Sequence, residues 1–227
     1  MKKILVSLAI AIVVGLSASA QNSIFFNPNN KAYFGIRVSP EVTCPGKISE
    51  SAGNYNVKLD AFKNGGGVEF GGIYNIPVVA NFYIEPGLKL YYNTYSLKDD
   101  FVKYIEDDII FNSLSVKKFG MRIPVMAGYH FDFTDDIKVS VFTGPELEIG
   151  FSAKEYVKGH NIEMSGSVYG DDGGYNRVDL LWGIGAGISY QHFYFGISGG
   201  IGMLNMLSDS DAKFHENRAT FSFGYNF

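Results

Sequence analysis

The side chains best suited to proton transfer near neutral pH are four histidines, His130, His160, His192 and His215. A hydrolase built on them needs a serine or cysteine and an acid converging on one wall. No His-x-Ser neighbourhood occurs, and the four read as interfacial or loop residues. Metal chemistry is equally poorly served, because neither HExxH nor Cys-x-x-Cys is present. The single cysteine, Cys44, excludes an intramolecular disulfide and a thiolate-rich metal site. Asp171-Asp172-Gly173-Gly174 and Asp209-Ser210-Asp211 offer oxygens to Ca²⁺ but lack the ligand spacing and distal glutamate of a dedicated loop. They read as solvated loop tips. Gly183-Ile184-Gly185-Ala186-Gly187 lacks the third spacing and the following helix of a dinucleotide-binding turn. A net charge of −4 gives no footing for a nucleic-acid binder. The residues therefore predict no catalytic centre, no cofactor and no metal.

The charges that remain informative are Arg37, Lys89, Arg122, Lys138 and Arg218, with Glu69, Glu85, Glu146, Glu148 and Asp179. Their meaning depends on the elements that carry them. Period-2 alternation predicts eight strands, over 34–38, 68–74, 82–92, 119–129, 137–151, 178–190, 193–203 and 219–227. One phase of every strand is free of charge, in a chain with 19% charged residues. Phe119, Met121, Ile123, Val125, Ala127 and Tyr129 illustrate it. The opposite phase is mostly Gly, Ser and Tyr, with the ten charges scattered along it.

A soluble sandwich or lipocalin would put Lys, Glu, Asp, Asn and Thr on its outer face. Glycine packs nothing against solvent, but it fits where side chains converge in a cramped interior. The pattern thus predicts apolar residues facing lipid and small or polar residues facing a narrow lumen. The Gly183/Gly187 and Gly196/Gly200 spacings do not argue for paired membrane helices, because a glycine at every second position generates them automatically. The expected fold is all-β: one eight-stranded antiparallel up-and-down transmembrane barrel.

The predicted connections alternate in length. Asn75-Ile76-Pro77, Asp132 to Asp136 and Gln191-His192 are short. Ser39 to Gly67, Thr94 to Val116, Ser152 to Arg177 and Leu204 to Arg218 are long and polar. Outer-membrane barrels have short periplasmic turns and longer external loops, so both termini are expected on the periplasmic side. Aromatic residues gather near the short turns, among them Phe34, Tyr74, Phe82, Tyr129 and Phe193, while Tyr92 and Tyr95 are expected at the opposite rim.

Ahead of the barrel, Lys2 and Lys3 precede an apolar stretch from Ile4 to Leu16 that is too short to span a bilayer. Ala18-Ser19-Ala20 follows as a small-x-small cleavage motif. Residues 1–20 are thus expected to be a secretory signal peptide, and residues 21–227 the barrel.

The strand-turn plan resembles the PorT-like outer-membrane β-barrel family over essentially the whole mature chain. The residues that carry the likeness are Ile123-Pro124 within a strand ending in Tyr129, Tyr83-Ile84-Glu85-Pro86-Gly87-Leu88, and Phe221-Ser222-Phe223-Gly224-Tyr225-Asn226-Phe227. The terminal alternation of Phe221, Phe223, Tyr225 and Phe227 is similar to the signal by which the outer-membrane assembly machinery recognises its clients. The resemblance implies an integral outer-membrane protein and no catalytic residues. Some members are implicated in protein secretion.

Eight strands leave an interior filled by side chains. Charges buried there must pair. The ten inward charges, five of each sign, are therefore expected to form an ion-pair network that plugs the lumen, with Arg122 meeting Glu85, Glu146 or Glu148. The functional expectation is a non-enzymatic barrel in contact with outer-membrane lipid, acting structurally or through a protein partner at its external loops. A narrow pore for ions or small solutes is the alternative.

Overall fold

The computed structural model describes residues 31–52, 55–79, 81–100, 111–134, 136–159, 163–169, 174–208 and 212–227. Residues 1–20, expected to be a signal peptide, and His160, Asp171-Asp172-Gly173 and Asp209-Ser210-Asp211 lie outside these. The strands are β1 (Tyr33–Pro45), β2 (Ile48–Ala52), β3 (Tyr55–Leu59), β4 (Phe62–Val79), β5 (Phe82–Leu97), β6 (Phe111–Asp132), β7 (Ile137–Gly159), β8 (Glu163–Ser167), β9 (Val178–Tyr190), β10 (Phe193–Gly202) and β11 (Glu216–Asn226). Eight of them, β1, β4 to β7 and β9 to β11, form a closed antiparallel ring in chain order. The last strand closes it on the first, with Ile36 opposite Tyr225 and Val38 opposite Phe223. Closure removes both sheet edges, which is the condition for strands to cross a bilayer.

The uncharged phase points outward. Phe70, Leu88, Ile184, Ile197, Ile201 and Phe221 are all more than half exposed. The other phase is buried: Arg37, Glu69, Tyr91, Arg122, Glu146 and Arg218 line the interior. Glycines let that interior close. Gly187 and Gly196 flank Tyr194, and a methyl group at either would overlap its ring. Gly128 stands in the same relation to Tyr83.

Strand ends differ from the sequence expectation. β1 runs to Pro45 and β4 begins at Phe62, so residues 39–45 and 62–67 are strand and not loop. Pro40, Gly65 and Gly66 read as breakers, yet the β1–β4 ladder continues through Thr43 opposite Gly65. β5, β6 and β7 are likewise longer, and β8 adds to β7. The short hairpin of β2 and β3 also stands at this long-strand end. At the short-turn end, Asn75-Ile76-Pro77 belongs to β4, which runs to Val79 before β5 begins at Phe82. Pro77 is accommodated beside a register shift between Pro77 and Val79, and Asn75 is buried in the lumen. The break between β6, ending at Asp132, and β7, starting at Ile137, and the turn at 191–192 stand where expected, with Gln191 in the left-handed region at φ 52°.

An aromatic belt rings the short-turn end. Phe34 stacks with Phe227 at 6.0 Å, while Phe82 meets Tyr129 edge-to-face at 4.8 Å and Phe193 meets Tyr225 edge-to-face at 5.6 Å. At the other rim Tyr92 faces outward, but Tyr95 is buried. It belongs to the inward phase with Tyr91 and Asn93.

Candidate functional site: the ion-paired lumen

Arg122 projects from the middle of β6 and is 2% exposed. Its Nε donates to Glu148 Oε2 at 2.8 Å, and Glu146 lies 3.9 Å away, both on neighbouring β7. Nη1 donates to Glu69 Oε2 of β4 at 3.1 Å and contacts Glu41 of β1, to which Nη2 also donates at 3.3 Å. The guanidinium lies 4.1 Å from the Tyr91 ring centroid. One cation thus ties together three walls of the barrel.

Three further cations complete the network. Lys89 of β5 donates to Glu69 Oε1 at 2.7 Å. Arg218 of β11 pairs with Glu146. Lys118 of β6 donates to Glu148 at 3.3 Å and to Glu216 Oε2 at 2.8 Å. Glu216 belongs to β11, four strands from β6 in either direction around the ring. The Lys118–Glu216 pair therefore crosses the full diameter of the lumen. Tyr95 donates to Glu216 at 2.7 Å, and Asn93 to Glu41 at 3.1 Å.

The ten expected charges do not all meet. Glu69, Lys89, Arg122, Glu146, Glu148 and Arg218 come together. Arg37 does not join them: it donates to Asn226 at 2.7 Å and covers the Tyr194 ring. Glu85 accepts from Asn75 at 3.1 Å and forms no ion pair among the described residues. It stands too far down the barrel to reach Arg122, because β5 brings Lys89 opposite that residue. Lys138 sits half exposed at the short-turn rim, 3.7 Å from Asp132. Asp179 is buried but accepts backbone N–H groups of Leu180 and Leu204. The alternation alone puts Glu41 and Glu216 in loops and leaves Lys118 just ahead of the strand expected at 119–129. Extending the alternation past Val38, and back from Phe119 and Ala219, puts all three in the inward phase.

The remaining space is small. A cavity of about 40 Å³ lies among Arg37, Glu85, Lys89, Glu146, Tyr194 and Arg218. That is room for only a few waters. A second, of about 10 Å³, adjoins Arg122 and Asp179. Toward the long-strand end the lumen is covered by packed loop residues. Phe214 and Met206 are fully buried there, and Phe214 meets Phe62 at 5.4 Å and Tyr175 at 5.8 Å. Burial among these groups pushes the Tyr175 phenol up to about 12.

The sequence reading saw no serine beside a histidine, but pairing of β6 with β7 brings His130 opposite Ser140. His130 Nδ1 lies 2.9 Å from Ser140 Oγ, and Nε2 lies 3.5 Å from the Asn75 amide nitrogen. That nitrogen also donates to Glu85, so it is the amide's donor end. The imidazole Nε2 then accepts, and Nδ1–H donates to Ser140. A proton facing the hydroxyl is the reverse of what nucleophile activation requires. Both residues are buried, with Tyr83 stacked on the imidazole at 4.0 Å. His192 is within 2.8 Å of the Asn226 carbonyl at a turn. Among the described residues no group of three His, Cys, Asp or Glu is placed to hold a metal.

Phe221, Phe223, Tyr225 and Phe227 all face outward, on the strand that closes the ring.

A closed eight-stranded ring with an apolar exterior and an ion-paired interior defines a transmembrane β-barrel. A family model described as an outer membrane protein beta-barrel domain matches residues 8–208, and the chain belongs to that family. Among solved structures, the chain is similar to the attachment invasion locus protein Ail of Yersinia pestis, at 14% identity and a TM-score of 0.42. That match covers 87% of this chain and 100% of Ail. It is also similar to Neisserial surface protein A, at 13% identity and a TM-score of 0.40, covering 87% of this chain and 98% of that one. The N-terminal barrel of Pseudomonas aeruginosa OprF gives 14% identity and a TM-score of 0.30, covering 87% of this chain and 100% of that one. No curated protein sequence matches the chain.

Proposed function

We propose that this protein is a closed, non-conducting and non-enzymatic outer-membrane barrel that acts structurally or through the long-strand end it presents outside the cell. The observation that carries this reading is the Lys118–Glu216 pair, which joins diametrically opposite strands at 2.8 Å. A path for ions would have to break it. The proposal includes cleavage of residues 1–20, periplasmic termini, and recognition of Phe221, Phe223, Tyr225 and Phe227 by the outer-membrane assembly machinery. The PorT-like resemblance supports a partner at the outer end and an accessory role in protein secretion.

Single-channel recording in planar bilayers tests the closed lumen. The wild-type barrel is expected to give no steps above bilayer background, and Lys118→Ala/Glu216→Ala is expected to give small, measurable ones. Stable unitary conductance from the wild type would overturn the closed-lumen reading in favour of a narrow pore.

A further inference from the structure

The outer face of the β6–β7 wall carries a pair of lysines that the lumen does not use. Lys117 and Lys154 stand directly opposite each other across the ladder. Both are exposed. Like charges placed directly opposite on one sheet face repel. Neither has a carboxylate partner among the described residues. Three other lysines at this end are each paired with an acid: Lys63 with Asp99 at 2.6 Å, Lys98 with Asp60 at 2.7 Å, and Lys158 with Glu163 at 3.1 Å.

The surroundings of the pair are those of a membrane interface. One step toward the apolar band, Phe119 and Phe151 present their rings to the outside, 5.8 Å apart. Two residues of strand separate Lys117 from Phe119, about 7 Å at ordinary strand rise. Lys117 Nζ is held 4.5 Å over the Tyr156 ring. The pair borders an open recess of about 290 Å³ lined by Tyr92, Lys117, Phe119, Ser152, Lys154 and Tyr156, with Lys118 also at its edge but its ammonium turned into the lumen onto Glu148 and Glu216. Its walls combine two cations, hydroxyl groups and an aromatic floor, with no acid.

We propose that Lys117 and Lys154 form a binding site for the phosphate-bearing headgroup of an anionic lipid, whose acyl chains lie against Phe119 and Phe151. A phosphomonoester at neutral pH carries between one and two negative charges and several acceptor oxygens, which matches two adjacent ammonium groups. The headgroup relieves the repulsion between the lysines, and its position at the end of the apolar band is where lipid phosphates lie. The leaflet concerned is the outer one; that detail rests on the orientation proposed above, but the site itself does not.

The test uses the purified full barrel in dodecyl maltoside, titrated with phosphatidic acid or phosphatidylcholine and read by native mass spectrometry. Heat-modifiable gel migration verifies that each variant is folded. The wild type is expected to retain phosphatidic acid about tenfold or more above phosphatidylcholine. Lys117→Gln/Lys154→Gln should fall to the phosphatidylcholine level. Lys58→Gln/Lys213→Gln, with the same net charge but altered elsewhere on the exposed surface, should bind like wild type. Excess inorganic phosphate should leave the lipid in place. The proposal is overturned if the Lys117/Lys154 variant binds as the wild type does, or if the control variant loses as much. Displacement of the lipid by inorganic phosphate would overturn it too, since the site would then be one for soluble anions. Conductance plays no part in this readout, so the closed-lumen reading stands or falls separately.

Discussion

Replacing Arg122 with methionine keeps most of the side-chain volume and removes the charge at the centre of the network. Four carboxylates lose their contact with it: Glu148 at 2.8 Å, Glu69 at 3.1 Å, Glu41, and Glu146 at 3.9 Å, which keeps its pair with Arg218. They are not equally affected. Glu148 keeps Lys118 at 3.3 Å, and Glu69 keeps Lys89 at 2.7 Å. Among the described residues Glu41 keeps only neutral donors, Asn93 at 3.1 Å and Thr43 at 3.4 Å. The loss should therefore amount to one stranded buried charge and not four, about 3–5 kcal/mol. Adding Glu41→Gln, which removes the stranded charge but keeps an acceptor for Asn93, should restore roughly half of it or more. Equilibrium unfolding by urea or guanidinium in detergent micelles reads this out, followed by heat-modifiable gel mobility and by the single tryptophan, Trp182, on the lipid face. If Arg122→Met unfolds within about 0.5 kcal/mol of wild type, as an ordinary surface substitution does, the lumen is wet enough to solvate its charges and the reasoning fails. If Glu41→Gln gives no recovery, the assignment of the stranded charge to Glu41 is wrong.

The glycines that flank Tyr194 are a second point of attack. Gly196→Val has no space beside the Tyr194 ring and should cost at least about 1–3 kcal/mol in the same unfolding assay, whereas Gly196→Val/Tyr194→Ala should fold better than Gly196→Val alone. Phe227→Ser loses the stacks on Phe34 and Tyr225; it should lower the yield of assembled barrel in cells severalfold, as measured by heat-modifiable migration of membrane fractions, while the purified chain still refolds in detergent.

The lipid-facing surface was legible because it depends on local geometry alone. Successive strand residues point to opposite faces, so the charge-free phase in each segment already separated the lipid side from the lumen side. The direction of Arg122 followed from this, as did the turn at 191–192. Strand ends were less legible. Pro40, Gly65, Gly66 and Pro77 have turn-forming chemistry, and only pairing with a neighbour keeps those segments extended. Reading residues 39–45 as loop removes Glu41 from view, and starting strands at Phe119 and Ala219 leaves out Lys118 and Glu216, although each fits the inward phase.

Which charges meet was decided by the closed ring. Alternation states the face a residue takes but not its height in the barrel or its distance around the circumference. The register of β6 against β7 put Arg122 opposite Glu148 and His130 opposite Ser140. The register of β5 carried Lys89, and not Glu85, to the level of Arg122. The contact of Lys118 with Glu216 joins residues 98 positions apart on strands that never pair. Period 2 set what faces lipid, since that is a property of each strand alone; ring closure and register set the lumen, since they are properties of all eight strands at once.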